Sequence, residues 1–409
     1  MNEGQVNGEK FRVKLDHLME DILQTYSFEE WKIPIVENVD NFIDETGYHT
    51  MQFFVKKDLL IIKMIGTGIP EERFSKLAEI AFTTKFDEKL KEKRKGLGYF
   101  GWGLKATMAI ADKVEIETKY KDFRGRQVWY WHDKEPYWKM ENPTFKLEED
   151  QTVIVYYLNQ KFHNKLSEQR IIETLQEFYP TVLAGAPALG KKRKFFVNNK
   201  EVPKPEWLNA KRYKEKIILR DIVIDGNPIT GRIFISEKEL KEELRGLAVI
   251  VCGRNIINER FHPYPEVKVY TGYVHADFFF KYLIGDKTQI KKSSNPLWAK
   301  FKVRITAEIK KELSKRGLLP KVTIKDKEVI RRVNKVISSV FQEIPELQRY
   351  GVIGPRWGEG VIYMRGGEEI LVDIQYGPSS KTDIPHKDCL LYTSPSPRDL
   401  STSRMPSSA

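Results

Sequence analysis

Cysteine is almost absent: Cys252 and Cys389 are the only two in 409 residues. That excludes a disulfide framework and fits a reducing, cytoplasmic setting. No apolar run approaches the roughly 18 residues a membrane-crossing helix needs, and no charged-then-apolar segment opens the chain. A membrane span, a signal peptide and a membrane partner are therefore not expected. His49, His132, His163, His262 and His275 show no metal-ligand spacing with cysteine or with one another, which argues against zinc. Internal repeats are also missing. Charge is plentiful, with a formal net charge of +12, and the length allows roughly two or three domains.

The last stretch does not read as protein. Cys389-Leu390-Leu391-Tyr392-Thr393-Ser394 is what the transposase mosaic end of a sequencing library encodes. Pro395-Ser396-Pro397-Arg398-Asp399 continues that adaptor, and Ser403-Arg404-Met405-Pro406-Ser407-Ser408-Ala409 matches its flow-cell end. The alternative is a natural Ser/Pro-rich disordered tail. Residues 389–409 are set aside as adaptor read-through, and the native C-terminus is expected to be missing.

Three short stretches carry the chemistry: Glu37-Asn38-Val39-Asp40-Asn41, Gly66-Thr67-Gly68-Ile69-Pro70 and Gly98-Tyr99-Phe100-Gly101-Trp102-Gly103. Residues three and four apart share a helical face, so Glu37, Asp40 and Asn41 project together. The second glycine loop leads into the small-residue run Leu104-Lys105-Ala106-Thr107-Met108-Ala109-Ile110-Ala111. A glycine loop feeding a helix start presents free N–H groups and a positive dipole end, which suits phosphate. An acid and an amide, a turn and a phosphate cradle, in that order, describe a nucleotide site.

The order resembles that of the Bergerat-fold ATPases, the GHKL group of gyrase B subunits, heat-shock chaperones, histidine kinases, MutL and MORC proteins. Its motif style is closest to the MORC, MutL and chaperone members. The first box of the family, Glu-x-x-Asp-Asn, is matched by Glu37, Asp40 and Asn41, with Asp44 one turn on. The resemblance implies that Glu37 is the general base for water and that Asn41 is the Mg²⁺ ligand. Gly98, Gly101, Trp102 and Gly103, with Leu104 and Lys105, look like the phosphate-side box. Trp102 either packs on the following helix or shields phosphates from water. Ala81-Phe82-Thr83-Thr84-Lys85 is similar to the Ser/Thr-Lys element of the ATP lid, and Thr152 to the hydroxyl of the strand closing the pocket. Met64, Gly66 and Gly68 stand at the second box. The family carries an aspartate where this chain has Met64, and a thioether is a weak acceptor. A hydrogen bond to a charged group is worth roughly 1.5–3 kcal/mol, so its loss should cost about 10- to 100-fold in adenine-dependent affinity. A sequence error, a weakened or altered nucleotide preference, and a non-binding relic remain open.

The fold expected is α+β: a Bergerat two-layer α/β sandwich over 1–160, a connecting helix and junction at 161–190, and a transducer-like βα domain over 191–325. An incomplete C-terminal region follows at 326–388. Helical spacing marks 11–26, 33–45, 71–80, 166–178, 296–315 and 326–346. Strands are expected at 51–55, 59–64, 113–119, 126–132, 152–158, 195–197, 217–224, 231–235, 248–251 and 267–274. The lysine-rich segment 83–97 suits a mobile lid, either solvated or with one lysine on phosphate. Resemblance to the transducer assigns Lys287, in Asp286-Lys287-Thr288-Gln289, to the γ-phosphate.

These readings imply a Mg²⁺-dependent ATPase with ATP as its cofactor. Its lid closure would drive a nucleotide-dependent homodimer that clamps duplex DNA. The overall basic balance and the clusters Lys191-Lys192-Arg193-Lys194 and Lys291-Lys292 tilt the partner towards DNA, though such clusters are also ordinary solvated surface. Two alternatives stay open. One is a chaperone-like ATPase acting on a protein client. The other is a nucleotide-binding module without efficient hydrolysis, which Met64 favours.

Overall fold

In the computed structural model, side chains and backbone are described for residues 21, 23–45, 47–66, 68–79, 97, 103–148, 150–261, 267–284, 286–292 and 295–319. Strand backbone alone is described at 86–87, 92–93, 352–356, 361–363 and 369–371. The expected helix at 326–346 and the tail 389–409 fall outside these residues, as does the expected helix at 11–26 apart from residues 21 and 23–26.

Pro34 in the first turn suits a helix start, because its missing N–H would have no partner there. Helix α1 (Ile33–Asp44) follows, and of its residues only Asn41 is not buried. The alternating apolar residues after it form the hairpin β1 (Thr50–Val55) and β2 (Leu59–Ile65). One helical turn, α2 (Glu71–Phe74), comes next, where the spacing predicts a helix over 71–80. It stops because the Phe74 carbonyl is taken by Gln127 Nε2 (2.5 Å) and, at i+3, by Leu77 N (3.2 Å). Two-residue strands β3 (Phe86–Asp87) and β4 (Glu92–Lys93) pair with each other.

The helix expected after Gly103 is likewise short. α3 (Gly103–Ala106) gives way to a 3₁₀ turn over Thr107–Ile110 and then to β5 (Ala111–Tyr120). The carbonyls that would continue it are claimed from outside. Trp131 Nε1 takes those of Met108 and Ala111, while Asn159 takes those of Ala109 and Ile110. β6 (Phe123–His132), β7 (Glu135–Glu141) and β8 (Gln151–Leu158) complete the run. β7 is absent from the sequence reading because it is a half-exposed edge strand without inward alternation.

Helices α4 (Glu168–Phe178) and α5 (Pro180–Leu183) lead to β9 (Lys194–Val197) and β10 (Lys200–Glu201). β9 pairs parallel with β1, giving the sheet order β10-β9-β1-β2-β8-β5-β6-β7. The boundary expected after residue 190 is thereby corrected, because the chain returns to the first sheet through residue 201 before leaving it. Apolar residues of α1 and α4 pack on one face of that sheet with Ile62, Ile116, Ile154 and Tyr156.

A second sheet, in the order β11-β12-β15-β13-β14, comprises β11 (Glu215–Ile224), β12 (Asn227–Ile235), β13 (Gly246–Val251), β14 (Arg254–Glu259) and β15 (Tyr270–His275). Helix α6 (Pro296–Lys315) is capped by Asn295 and lays Trp298, Phe301, Ile305, Ile309 and Leu313 on it. Full burial of such side chains stabilises by roughly 1.5–3 kcal/mol each. Three short strands, β16 (Val352–Arg356), β17 (Val361–Tyr363) and β18 (Glu369–Leu371), pair separately. The fold class is α+β, as expected. No described helix is long and apolar enough to cross a membrane.

The β13–β14 turn joins the two sheets. Cys252 (φ 50°) and Gly253 (φ 89°) are both left-handed, the requirement of a two-residue type I′ hairpin. A Cβ on Gly253 would lie 2.7 Å from Ala188 Cβ, whereas Gly226, at φ 78° in the β11–β12 turn, faces open space. Gly226→Ala should therefore cost only the left-handed penalty, about 1 kcal/mol. Gly253→Ala should cost about 1–3 kcal/mol more through overpacking. Urea midpoints of the two variants measure the difference, and equal values would mean that the turn is not tightly seated.

Candidate functional site

α1 is buried on nearly every side, so its charged residues must find partners inside the protein. Glu37 is 2% exposed and Asp40 fully buried. Both meet Lys287, whose Nζ donates to Glu37 Oε1 (3.0 Å), Glu37 Oε2 (2.9 Å) and Asp40 Oδ2 (2.8 Å) across about 250 residues of sequence. Arg254, at the start of β14, adds a second cation. Its Nη1 lies 2.6 Å from Asp40 Oδ2, and its Nη2 donates to the Asp286 carbonyl at 2.9 Å. The Arg254 guanidinium also sits 5.1 Å from the centre of the Phe178 ring.

Two tyrosines close the cluster. Tyr26 donates to Glu37 Oε1 at 3.1 Å. Tyr179 shares its hydroxyl proton between Asp40 Oδ1 (2.8 Å) and the Val36 carbonyl (2.9 Å). Burial raises both phenols well above their ordinary value, and the neighbouring carboxylates Glu37 and Asp40 add to the effect. Burial alone would raise the Asp40 carboxyl, but Arg254 and Lys287 outweigh it and hold the group below the usual carboxylate range. Burial alone would lower the Lys287 ammonium, and here Asp40 and Glu37 prevail and raise it. Two anions and two cations thus form one neutral, water-excluded network.

Gly103 touches this network directly, since a Cβ there would lie 1.9 Å from Glu37 Oε2. Only glycine lets that backbone approach the carboxylate so closely. Leu104 is half-buried on the same turn, and burial pushes the Lys105 amine down to about 8 against an opposing pull from Glu79. Asn41 is partly exposed at the next position along α1. Asp44 holds the backbone N–H of Leu97, at 2.7 and 2.9 Å to its two oxygens.

Met64 and Thr152 lie opposite each other on β2 and β8, and Thr118 of β5 continues the same row. The Thr152 hydroxyl is engaged with Tyr48 (2.8 Å) and Thr118 (2.9 Å). Gly66 (φ 127°) and Gly68 are explained by crowding: a Cβ would meet the Gly47 carbonyl at 2.3 Å and the Lys119 carbonyl at 2.0 Å. Thr84, Lys85, Gly98, Gly101 and Trp102 lie outside the described residues. No group of His, Cys, Asp and Glu with metal-binding geometry occurs among the described residues.

No family model matches this chain, and no curated protein matches it. The site therefore has to be argued from its own geometry. That geometry brings Glu37, Asp40, Gly103 and Lys287 together and sets Met64 beside Thr152. Tyr26, Tyr179 and Arg254 join the site without being assigned to it by the sequence pattern, and Asp286 gains a role beside Lys287. Only Arg254 carried a signal, as a charge wedged between the apolar runs 246–251 and 256–257. The Lys191–Lys194 run is also revised, for Arg193 turns inward and donates to the Ile43 and Glu45 carbonyls at the end of α1.

Asp40→Asn should destabilise the fold by about 3–5 kcal/mol, because it takes from the buried Arg254 its carboxylate partner, while Lys287 keeps only Glu37. Asp40 has a depressed carboxyl, so its contribution is complete above the ordinary value of 3.8 and is lost as pH falls through the lower, folded-state value. Lys287 has a raised ammonium, so its contribution is complete below 10.5 and fades as pH rises through the higher, folded-state value. Urea titrations from acid to alkali should show the wild-type advantage over Asp40→Asn level at neutral pH and shrinking below pH 3.8. A gap unchanged into strong acid would contradict the assignment.

Proposed function

We propose that this chain is a Mg²⁺-dependent ATPase of the GHKL type, whose nucleotide-driven closure and dimerisation clamp DNA. The observation that carries this reading is the meeting of Lys287 with Glu37. The resemblance gives these residues separate roles, general base and γ-phosphate lysine, and they share one ion pair although one lies on α1 and the other in a loop 250 residues on. Gly103 against the Glu37 carboxylate supports the same end of the site. The residues at this end fit a metal-bound triphosphate: a partly exposed amide at Asn41, an acid at Glu37 and a cation at Lys287. At the other end, Met64 supplies no carboxylate and the Thr152 hydroxyl is already engaged, which favours weakened adenine recognition as the second reading.

Bound Mg²⁺ would neutralise charge on the phosphates. Glu37 would take the proton of the attacking water once Lys287 moves off its oxygens, and Asn41 would hold the metal by its amide oxygen. Lys287 would follow the developing negative charge, carrying its loop and the second sheet with it. Glu37→Ala should keep nucleotide binding and lose turnover at least about 100-fold, whereas Asn41→Ala should weaken Mg-ATP binding. Phosphate release and a binding titration separate the two, and equal turnover in wild type and Glu37→Ala would remove Glu37 from the mechanism.

The clamp has its own test. The exposed lysines Lys191, Lys192 and Lys194 and the net charge of +12 support a polyanionic partner. A non-hydrolysable ATP analogue with Mg²⁺ should raise the dimer population in light scattering, and ADP should not. Affinity for duplex DNA should fall steeply with salt, as released counterions require. A strict monomer with analogue bound sinks the clamp, and salt-insensitive or absent DNA binding moves its client to protein.

A further inference from the structure

Residues 23–28 run across the mouth of the charge network and touch both sheets' contributions to it. Tyr26 donates to Glu37 Oε1 at 3.1 Å. The Ser27 N–H donates to Asp286 Oδ2 at 2.9 Å, and the Ser27 hydroxyl lies 2.7 Å from Thr288 Oγ1. These two bonds flank Lys287 in sequence. Thr288 in turn donates from its N–H to Asp286 Oδ1 (3.1 Å) and from its hydroxyl to Asp286 Oδ2 (2.6 Å), so the turn around the lysine is closed on itself. Phe28 continues the contact edge-on to Phe178, the ring over which Arg254 lies, with centroids 5.2 Å apart.

The hold on this segment is part polar and part apolar. Ser27 is exposed, while Tyr26 and Phe28 are only half-buried. The grip on residues 286–288 is polar, while Leu23, Tyr26 and Phe28 pack part-buried against the first core. Staying in place completes the shell of a lysine that is 3% exposed. Lys287 also has φ 60°, a left-handed backbone that a non-glycine residue keeps only when its surroundings hold it.

We propose that Tyr26 and Ser27 are positioning residues of a strap that holds Lys287 on Glu37 until the strap is displaced. The strap keeps the acid covered in the resting protein, so displacing residues 23–28 frees Glu37 and Lys287 together. This rests on the reading of Glu37 and Lys287 as reacting-site residues for its meaning, but not for its test.

The test reads Lys287 itself, without nucleotide. The full chain and its Tyr26→Phe/Ser27→Ala variant are treated with an amine-acylating reagent, and acylation of Lys287 is followed by peptide mass spectrometry. Two lost hydrogen bonds, one of them to a carboxylate, should raise the rate at Lys287 about tenfold or more. Amide exchange in β5 and β13 should stay unchanged, which separates local release from unfolding. Ser27→Thr, which keeps the hydroxyl, should remain as protected as wild type. Equal protection of Lys287 in the double variant and wild type overturns the strap. If the double variant loses core protection, Thr288→Val removes the same contact from the other side, and an unchanged rate there overturns it equally. Phosphate release from Mg-ATP is measured on the same proteins. Faster acylation with no hydrolysis in any of them keeps the strap and removes the ATPase, while hydrolysis with unchanged acylation does the reverse.

Discussion

Four buried charges, Glu37 and Asp40 from the first sheet's helix with Arg254 from the second sheet and Lys287 from the loop before α6, set the terms for the rest of the molecule. Such a network adds little stability over apolar residues of the same volume, because desolvation consumes most of the attraction. Its effect is on alternatives. If the sheets part, two carboxylates and two cations lose their partners in a poorly hydrated place, which costs several kcal/mol unless something else takes up the charge. An anion arriving with its own metal cation is the kind of ligand that could do so, since it offers a partner to each side. The network therefore opposes spontaneous opening, and the charges of such a ligand would offset part of that cost.

The candidate residues around Glu37 and those around Met64 differ in chemistry. At the Glu37 end the polar groups are charged, and Gly103 leaves the carboxylate space that a side chain would fill. At the Met64 end, Tyr48, Thr118 and Thr152 satisfy one another in a chain of hydroxyls, and Thr118 also accepts from the Ile69 N–H. Hydroxyls already bonded to neighbours contribute less to a new ligand than free ones would. A ligand that reached these hydroxyls would therefore gain less from them than from the charges around Glu37.

How much of this was legible depended on distance along the chain. α1, the β1–β2 hairpin, α4 and α6 follow from local spacing and caps, and the structure keeps their limits to within a residue or two. The turns after Phe74 and Ala106 were misjudged because their ends are decided by distant donors, Gln127, Trp131 and Asn159. β9 was assigned to the wrong unit for the same reason, since a four-residue strand carries no mark of the sheet it joins. In the site, Glu37 and Asp40 were readable as a helical pair. Tyr179 is not, because a hydrogen-bonding phenol looks like any other aromatic until its partner is known, and Arg254 shows only as a charge between apolar runs.

Lys287 shows why the loop and the network have to be considered together. Holding a lysine at φ 60° costs about 1–3 kcal/mol, and burying its ammonium would cost more if it were unpaired. The two carboxylates offset the second cost, and Asp286, Thr288 and Ser27 fix the backbone against the first. Neither set of contacts suffices alone: without the carboxylates the loop would turn the lysine out, and without the loop contacts the backbone would relax from its left-handed form. Loss of either set therefore weakens the hold on Lys287. That makes Lys287 sensitive both to charge arriving at Glu37 and Asp40 and to movement of the segment bearing Ser27, with no further moving part required.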